Sequence, residues 1–245
     1  SQGPERAGLE ASTFTRPRLL PRPRRVLAAF SDGRLALEAR RGNDSAFEVI
    51  YDRHHRGLLA FCRHMLRSQD DAEDALQQTF ASAFGALSRT DQAIQLKPWL
   101  YTIARNHCVN TLRARREHPV EEVDLSSTAG PFEEIGRRAE LRELLSDLDR
   151  LPERQRAALV LSEIGALAHR EVAQVLGCET KQVKALVFRA RSALIADRRA
   201  REMPCVEIRE QLATATAGEL RRRPLRRHLR QCDGCAQFRE AFATA

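Results

Sequence analysis

The sequence of 245 residues has few aromatic residues, few glycines and prolines, and no long apolar run. Only 5% of its residues are aromatic, and there are 12 glycines and 10 prolines. Because strand formers and helix breakers are both scarce, this composition favours a mostly helical protein over a sandwich or barrel. No apolar stretch approaches the roughly 18–20 residues of a membrane-spanning helix, which excludes an integral membrane protein. A secretory signal is also lacking, so we expect a cytoplasmic protein with no membrane partner.

The charge balance is basic. Lysine and arginine together number 41 and aspartate and glutamate 33, which gives a formal net charge of +8. This balance favours an anionic partner, most often nucleic acid, although it says nothing about the fold. The chain shows no nucleophile paired with a base and no phosphate-binding loop, so we expect neither an enzyme nor a small-molecule substrate.

Shifts in composition divide the chain into five parts. Residues 1–40 include a proline and arginine run and are predicted to form a basic irregular arm, which either contacts DNA or is a solvated tail without function. Residues 41–116 have helical periodicity and form a first domain. Residues 117–133, acidic with two prolines, are typical of a linker. Residues 134–200 form a second helical domain, and residues 204–245 a small C-terminal unit.

Apolar spacing predicts three helices in the first domain. The first begins at Asp44, the second begins between Ser68 and Asp71, and the third has Pro98 as its first residue. Acidic residues occupy the outer face of the second helix, and arginines face away from the apolar side of the third.

The second domain is predicted to contain a helix over residues 135–148, a helix from Pro152 to about Ile164, and two short helices on either side of Gly177. Gly177 permits a left-handed turn and Thr180 would cap the helix that follows, which is the spacing of a helix-turn-helix. The second helix of that motif enters the DNA major groove. The alternative is an ordinary helical hairpin with a solvated charged face. The outward residues of this second helix would be Lys181, Gln182, Lys184, Ala185, Phe188, Arg189 and Arg191.

The six cysteines do not form a disulfide framework. Cys62, Cys108 and Cys178 lie far apart in apolar segments, so they are expected to be small buried residues. The C-terminal unit instead concentrates four potential metal ligands, namely Cys205, His228, Cys232 and Cys235.

Three thiolates and one imidazole make a tetrahedral zinc set, so we expect bound Zn²⁺. His228 and Cys232 are four residues apart and are expected on one face of a helix, and a tight turn would join Cys232 to Cys235. A unit of about 40 residues has too little core to fold unaided, which also favours a metal. The alternatives are a redox CxxC pair without metal, and surface cysteines without a role.

Several segments resemble a known family. Residues 69–84, QDDAEDALQQTFASAF, resemble the acidic helix of bacterial alternative sigma factors. Residues 97–116, KPWLYTIARNHCVNTLRARR, resemble the helix with which those proteins melt DNA and read the minus-ten promoter element. Residues 151–194 resemble their domain for the minus-thirty-five element. This order indicates the extracytoplasmic-function (ECF) group of RNA polymerase sigma factors. Residues 204–240 are similar to the zinc-binding anti-sigma fold.

The resemblance implies an all-α protein with two small helical domains joined by a flexible linker, the second containing the helix-turn-helix, plus a small C-terminal zinc-binding helical unit. It also implies a sigma factor that binds core RNA polymerase and directs promoter-specific transcription initiation. The acidic helix would meet the polymerase clamp through Asp71, Glu73 and Asp74. The residues expected to bind promoter DNA are Lys97, Trp99, Tyr101, Arg105, Asn106, Asn110, Arg113, Thr180, Lys181, Gln182, Lys184, Phe188, Arg189 and Arg191.

The sequence departs from the family pattern in a few places. Asn110 stands where an aspartate is common, and Cys178 and Gln182 interrupt the usual helix-turn-helix pattern, so the promoter sequence and the regulon stay open. Trp99 fits the core as well as it fits a surface on which bases stack.

Other functions and roles also remain open. A stand-alone helix-turn-helix repressor or activator would bind duplex DNA without polymerase, and an interaction protein would use its tail to sequester a separate sigma factor. Within the sigma-factor interpretation, the zinc unit either regulates the other domains in cis or only stabilises a docking surface. A separate anti-sigma factor and the inducing signal are also left undecided.

Overall fold

The structure is a computed structural model that describes residues 24–89, 93–117, 132–214 and 223–243, with side chains masked at 116, 132–139, 223 and 242–243. Within these residues the chain is helical and contains no strand, as the sequence predicts. The linker segment 118–131 and most of the basic arm lie outside the described residues. The helices are α1 (Arg24–Leu27), α2 (Asp32–Arg40), α3 (Asp44–Leu66), α4 (Gln69–Leu87), α5 (Leu96–Glu117), α6 (Phe132–Asp149), α7 (Glu153–Glu163), α8 (His169–Leu176), α9 (Thr180–Glu202), α10 (Cys205–Thr214), α11 (Arg223–Leu229) and α12 (Asp233–Ala243).

Helices α3, α4 and α5 pack pairwise into the first domain. Leu58 and Phe61 of α3 and Leu100 of α5 are fully buried between them. The Ser68 hydroxyl accepts a hydrogen bond from the Asp71 backbone N–H at 3.2 Å, which caps α4 where the sequence predicts. Helix α5 begins at Leu96, two residues before the predicted start at Pro98.

Residues 24–40 are not an irregular arm, and that prediction is wrong for this stretch. They form α1 and α2, which pack on α3 and bury Leu27 and Leu35 completely. The guanidinium of Arg53 donates to the backbone carbonyls of Ala28 and Phe30 at 2.9 and 3.0 Å. Proline and arginine dominate the composition upstream of this stretch, which obscures the two leucines that hold it on the domain.

An ion pair joins α2 to α3. His54 Nε2 lies 3.0 Å from Asp32 Oδ2, and Arg53 donates to the other oxygen of that carboxylate at 2.6 Å. Hydrogen bonding from His54 is the main reason that the pKa of Asp32 falls to about 2.

Helices α6 to α9 form the second domain, with α7, α8 and α9 packed as a helix-turn-helix unit. Gly177 ends α8 in the left-handed conformation at φ 58°, as the turn requires. Helix α9 is not short as predicted, because it runs for 23 residues from Thr180. Its N-cap is Glu179 rather than Thr180, and the Glu179 backbone N–H donates to Gln182 Oε1 at 3.3 Å.

The two domains pack directly on each other. Helix α5 lies against α8, and α3 lies against α6 and α7. Lys97 Nζ donates to the Ala166 carbonyl at 3.1 Å, and Arg105 forms an ion pair with Glu153 at 3.0 Å. The promoter-binding halves proposed from the sequence are therefore in contact.

Among the described residues of the C-terminal unit, five form a buried core, namely Ile208, Leu212, Leu225, Leu229 and Cys235. So small a core supplies little stability by itself. In the described part of the chain, no helix has the length and apolarity that crossing a bilayer requires.

Candidate functional site

Four potential metal ligands converge in the C-terminal unit. The ligand atoms of Cys205, His228, Cys232 and Cys235 all lie within 4.8 Å of one another. Cys205 Sγ is 3.8 Å from Cys232 Sγ and 3.9 Å from His228 Nε2. This cluster could hold a metal ion.

Three helices and one turn position these ligands. Cys205 begins α10, His228 lies in α11, and Cys235 lies in the first turn of α12. Cys232 follows the end of α11 in the turn, so it does not share a helix face with His228 as predicted. Helix α11 ends at Leu229, and the chain turns after it. The Cys232 sulfur can therefore approach the cluster from a direction different from that of the imidazole.

The imidazole of His228 is buried and its orientation is determined by a backbone contact. His228 Nδ1 lies 2.7 Å from the carbonyl oxygen of Ala200, the last-turn residue of α9. A carbonyl only accepts, so Nδ1 carries the proton and Nε2 keeps a free lone pair towards the sulfurs. This arrangement is typical of histidine ligands, whose other ring nitrogen donates to an oxygen.

The environment distinguishes the thiols of the turn. A hydrogen bond from the backbone N–H of Cys235 to the Cys232 sulfur lowers the pKa of the Cys232 thiol to about 7. Burial raises the pKa of the Cys235 thiol to about 11. A metal ion displaces thiol protons, so its binding would favour the thiolate of Cys235 against this raised pKa.

The outward face of α9 is exposed to solvent. The predicted residues Thr180, Lys181, Gln182, Lys184, Arg189 and Arg191 are all exposed. Phe188, a large apolar residue in the middle of this face, is 71% exposed. Arg191 forms an ion pair with Glu163 of α7.

The C-terminal unit binds a different side of α9. Arg227 donates to the Ala193 carbonyl at 3.0 Å and forms an ion pair with Asp197, while His228 contacts Ala200. Lys184 and Phe188 are left uncovered by these contacts.

Helix α5 presents only some of its predicted DNA-binding residues. Asn106, Asn110 and Arg113 are exposed. Lys97 and Arg105 are engaged with the second domain through the contacts described above. Trp99 is partly buried against the core.

Tyr101 is not a surface residue, and its prediction as a DNA contact is wrong. It is 3% exposed, and its ring packs edge-on against Phe61 with centroids 5.6 Å apart. Burial raises the pKa of Tyr101 to about 12. Position 101 falls on the inward side of α5. In the sequence it lies four residues from Lys97 and four from Arg105, a spacing that indicates one basic helix face.

The acidic face of α4 divides into engaged and exposed carboxylates. Asp71 is half-buried in an ion pair with Arg115 of α5. Glu73 lies 3.5 Å from Arg63 and accepts a hydrogen bond from Gln69 at 3.0 Å. Asp74 is exposed.

Sequence reasoning missed a cluster of charged residues that joins the domains. Arg201, at the end of α9, donates to the 1% exposed Asp147 of α6 at 2.8 Å. Asp149 of α6 lies 2.9 Å from Arg67, the residue after α3, and 3.3 Å from the buried Arg156 of α7. A charge on a helix with an apolar stripe looks solvated in the sequence, so nothing there indicates these pairs.

Two family models match the chain. Sigma-70 region 2 matches residues 50–118 and Sigma-70, region 4 matches residues 141–194. The first match covers most of α3 and all of α4 and α5, and the second contains α7 and α8 and most of α9. Both matches end before the C-terminal unit.

Individual sigma factors are similar over the same part of the chain. The RNA polymerase sigma factor NccH of Alcaligenes xylosoxydans xylosoxydans is 32% identical over 173 residues, which cover 67% of this chain and 93% of NccH. A solved structure of CnrH with the cytosolic domain of CnrY matches with a TM-score of 0.55 at 30% identity, covering 67% of this chain and 95% of that one. A solved structure of the sigma factor RpoE in complex with the anti-sigma factor NepR from Bartonella quintana matches with a TM-score of 0.50 at 27% identity. The match covers 60% of this chain and 93% of that one.

Proposed function

The chain belongs to the ECF sigma-70 family, and from that premise we propose how its surfaces act in transcription initiation. It is a sigma factor, a transcription initiation factor rather than an enzyme, and directs promoter-specific initiation by RNA polymerase. The observation that carries the assignment of surfaces is the helix-turn-helix, whose second helix leaves an uncovered basic face. A stand-alone repressor would leave the acidic helix α4 and the match of α3–α5 to region 2 without a role.

We assign recognition of the minus-thirty-five element to α9. Its exposed cations Lys181, Lys184 and Arg189 would contact phosphates or base edges in the major groove. Gln182 uses its carbonyl oxygen in the cap of α9, which leaves its amide N–H groups to donate to a base. Phe188 offers an apolar contact in the same groove. Thr180 and Arg191 lie beside these residues as further contacts to the DNA backbone.

Recognition and melting of the minus-ten element belong to α5 in this proposal. Asn106 and Asn110 are exposed amides that can pair with unstacked bases, and Arg113 is an exposed cation for phosphates. Lys97 and Arg105 join them only after their contacts with the second domain are released. Trp99 borders this face with part of its ring surface accessible.

The polymerase clamp would dock on the acidic face of α4. Glu73 and Asp74 are exposed there, and opposite charges steer association. Asp71 forms an ion pair with Arg115 of α5 beside this face, and its carboxylate adds to the negative electrostatic potential there.

The metal in the C-terminal unit is Zn²⁺ in this proposal. A tetrahedral zinc ion about 2.3 Å from each sulfur places two sulfurs about 3.8 Å apart. The Cys205 and Cys232 sulfurs lie at 3.8 Å, and the prepared tautomer of His228 supplies the nitrogen. Four protein ligands leave no open position, so the ion would be structural and its binding energy would fold the unit.

The zinc unit would regulate the sigma domains in cis. It binds the end of α9 and leaves Lys184 and Phe188 exposed, so it would not act by covering the DNA-binding face. A separate anti-sigma partner is a second possible level of control, supported by the similarity to RpoE, which was solved with NepR.

Lys184→Ala tests the assignment of the DNA-binding face. Removing one phosphate contact should weaken promoter binding by the holoenzyme and reduce the slope of log affinity against log salt by about one. Anisotropy titrations between about 50 and 200 mM salt measure both quantities. Arg198→Ala is the matched control, because Arg198 lies on the same helix, is 76% exposed and pairs with Glu202. Equal losses in the two variants, or none in either, would contradict the assignment.

A further inference from the structure

We propose that the zinc-loaded C-terminal unit holds the two promoter-binding domains together through Arg201, so that zinc binding and polymerase binding oppose each other. The inference rests on the proposed zinc site and concerns its regulation. Four contacts support the inference. The metal cluster contacts the end of α9, α9 contacts α6, α6 contacts the first domain, and the second domain contacts α5.

The metal cluster stabilises the last turn of α9. The final four carbonyls of a helix have no partner within the helix. Ala200 supplies one of these carbonyls, and His228 Nδ1–H donates to it at 2.7 Å in a buried position. Because His228 is also a ligand, metal binding orders the imidazole that caps α9. Loss of the ion would unfold the small unit and remove this cap.

Arg201 lies in that last turn and connects three parts of the chain. Its guanidinium donates to Asp147 of α6 at 2.8 Å and to Gln231 of the C-terminal unit at 3.1 Å. A third contact joins Arg201 Nε to Glu143 of α6 at 3.2 Å. Asp147 is only 1% exposed, so it depends on its cationic partners, Arg201 and Arg150, to offset its burial.

Helix α6 transmits this contact to the first domain. It packs chiefly against α3 and α9. At its end, Asp149 pairs with Arg67, which directly follows α3, at 2.9 Å and with Arg156 of α7 at 3.3 Å. Arg156 is 6% exposed, so breaking this group costs the solvation of a buried cation. A firmly held α6 therefore keeps the domains together.

The closed arrangement is incompatible with promoter binding. On α5, Lys97 donates to the Ala166 carbonyl and Arg105 pairs with Glu153, so neither cation is available to DNA. The names of the two promoter elements place them about 25 base pairs apart, which is roughly 85 Å of duplex at about 3.4 Å per pair. Domains in direct contact cannot span that length, so polymerase and promoter must select a separated form. A ligand that stabilises the closed form then opposes both.

Linkage makes this opposition measurable from the zinc side. If zinc favours the closed form and polymerase the open form, core polymerase must weaken zinc affinity by the same factor by which zinc weakens polymerase binding. We expect saturating core polymerase to weaken zinc affinity of the full chain between about five- and 150-fold. Competition against a chromophoric zinc chelator, with and without core polymerase, measures this ratio.

Arg201→Gln should reduce the ratio towards one while the variant still binds zinc, because all four ligands are retained. Glu143→Gln removes only the contact to a half-exposed carboxylate and should give an intermediate ratio. Arg199→Gln is the matched control on the same turn, because Arg199 is exposed, and this variant should keep the wild-type ratio. Circular dichroism verifies that each variant is folded.

Distinct outcomes overturn the inference and the proposal beneath it. A wild-type zinc affinity that core polymerase leaves unchanged would overturn the inference, and so would a full ratio in Arg201→Gln. A wild-type chain that takes up no zinc would instead overturn the proposed zinc site.

Discussion

At the scale of single residues, Tyr101 shows how closely the first domain is packed. Its hydroxyl lies against the middle of α3 at Gly57, where an added Cβ would come within 2.8 Å of the oxygen. The ring cannot swing away, because it is 3% exposed and packs on Phe61. Gly57 therefore has a packing role in a helix, where glycine is otherwise unfavourable.

Gly57→Ala should destabilise the protein by about 1–3 kcal/mol, because the clash outweighs the helix propensity gained. Gly85→Ala in α4 is the matched control. Nothing lies within 4 Å of its added Cβ, so it should stabilise the protein by up to about 1 kcal/mol. Urea unfolding measures both changes. In a Tyr101→Phe background the cost of Gly57→Ala should shrink, and an unchanged cost there would show that the hydroxyl is not its cause.

At the scale of elements, α4 combines a docking face with a structural ion pair. The charge reversals Glu73→Lys and Asp74→Lys should together weaken binding of core polymerase at least several-fold without lowering the free energy of unfolding by more than about 0.5 kcal/mol each. Asp71→Lys should instead lower stability, because it replaces the carboxylate partner of Arg115 with a like charge. A pull-down at physiological salt together with urea unfolding separates the two effects. Glu48→Lys, an exposed acid on α3, is the control, and equal weakening by it would refute the assignment of α4.

The elements also show what could be predicted from the sequence. Local signals are reliable where they are strong, as with the Ser68 cap of α4 and the left-handed Gly177 after α8. The length of α9 was underestimated because its last turns are charged on most sides, and their structure depends on contacts with α6 and the C-terminal unit. The clustering of Cys205, His228, Cys232 and Cys235 could be predicted because their spacing is specific, but the position of Cys232 beyond α11 depends on where that helix ends.

At the scale of the whole molecule, the contact between the domains was beyond sequence reasoning. Ion pairs such as Arg105 with Glu153 and Arg67 with Asp149 join residues far apart in the chain, and each residue alone resembles a solvated charge. These contacts give a closed form in which α5 of the first domain packs against α8 of the second domain. In the proposed mechanism, the two domains of this sigma factor separate on polymerase, and the C-terminal unit sets how readily they separate.

Run-off transcription tests the central claim most directly. Purified core polymerase is given a library of random promoters, with or without the zinc-loaded chain of 245 residues, and the transcript starts are sequenced. The account predicts that the chain alone confers starts at one class of promoter, which carries two conserved elements at a constant spacing. Starts that do not depend on the chain would contradict the account, as would tight binding to duplex DNA without any transcription in the presence of polymerase.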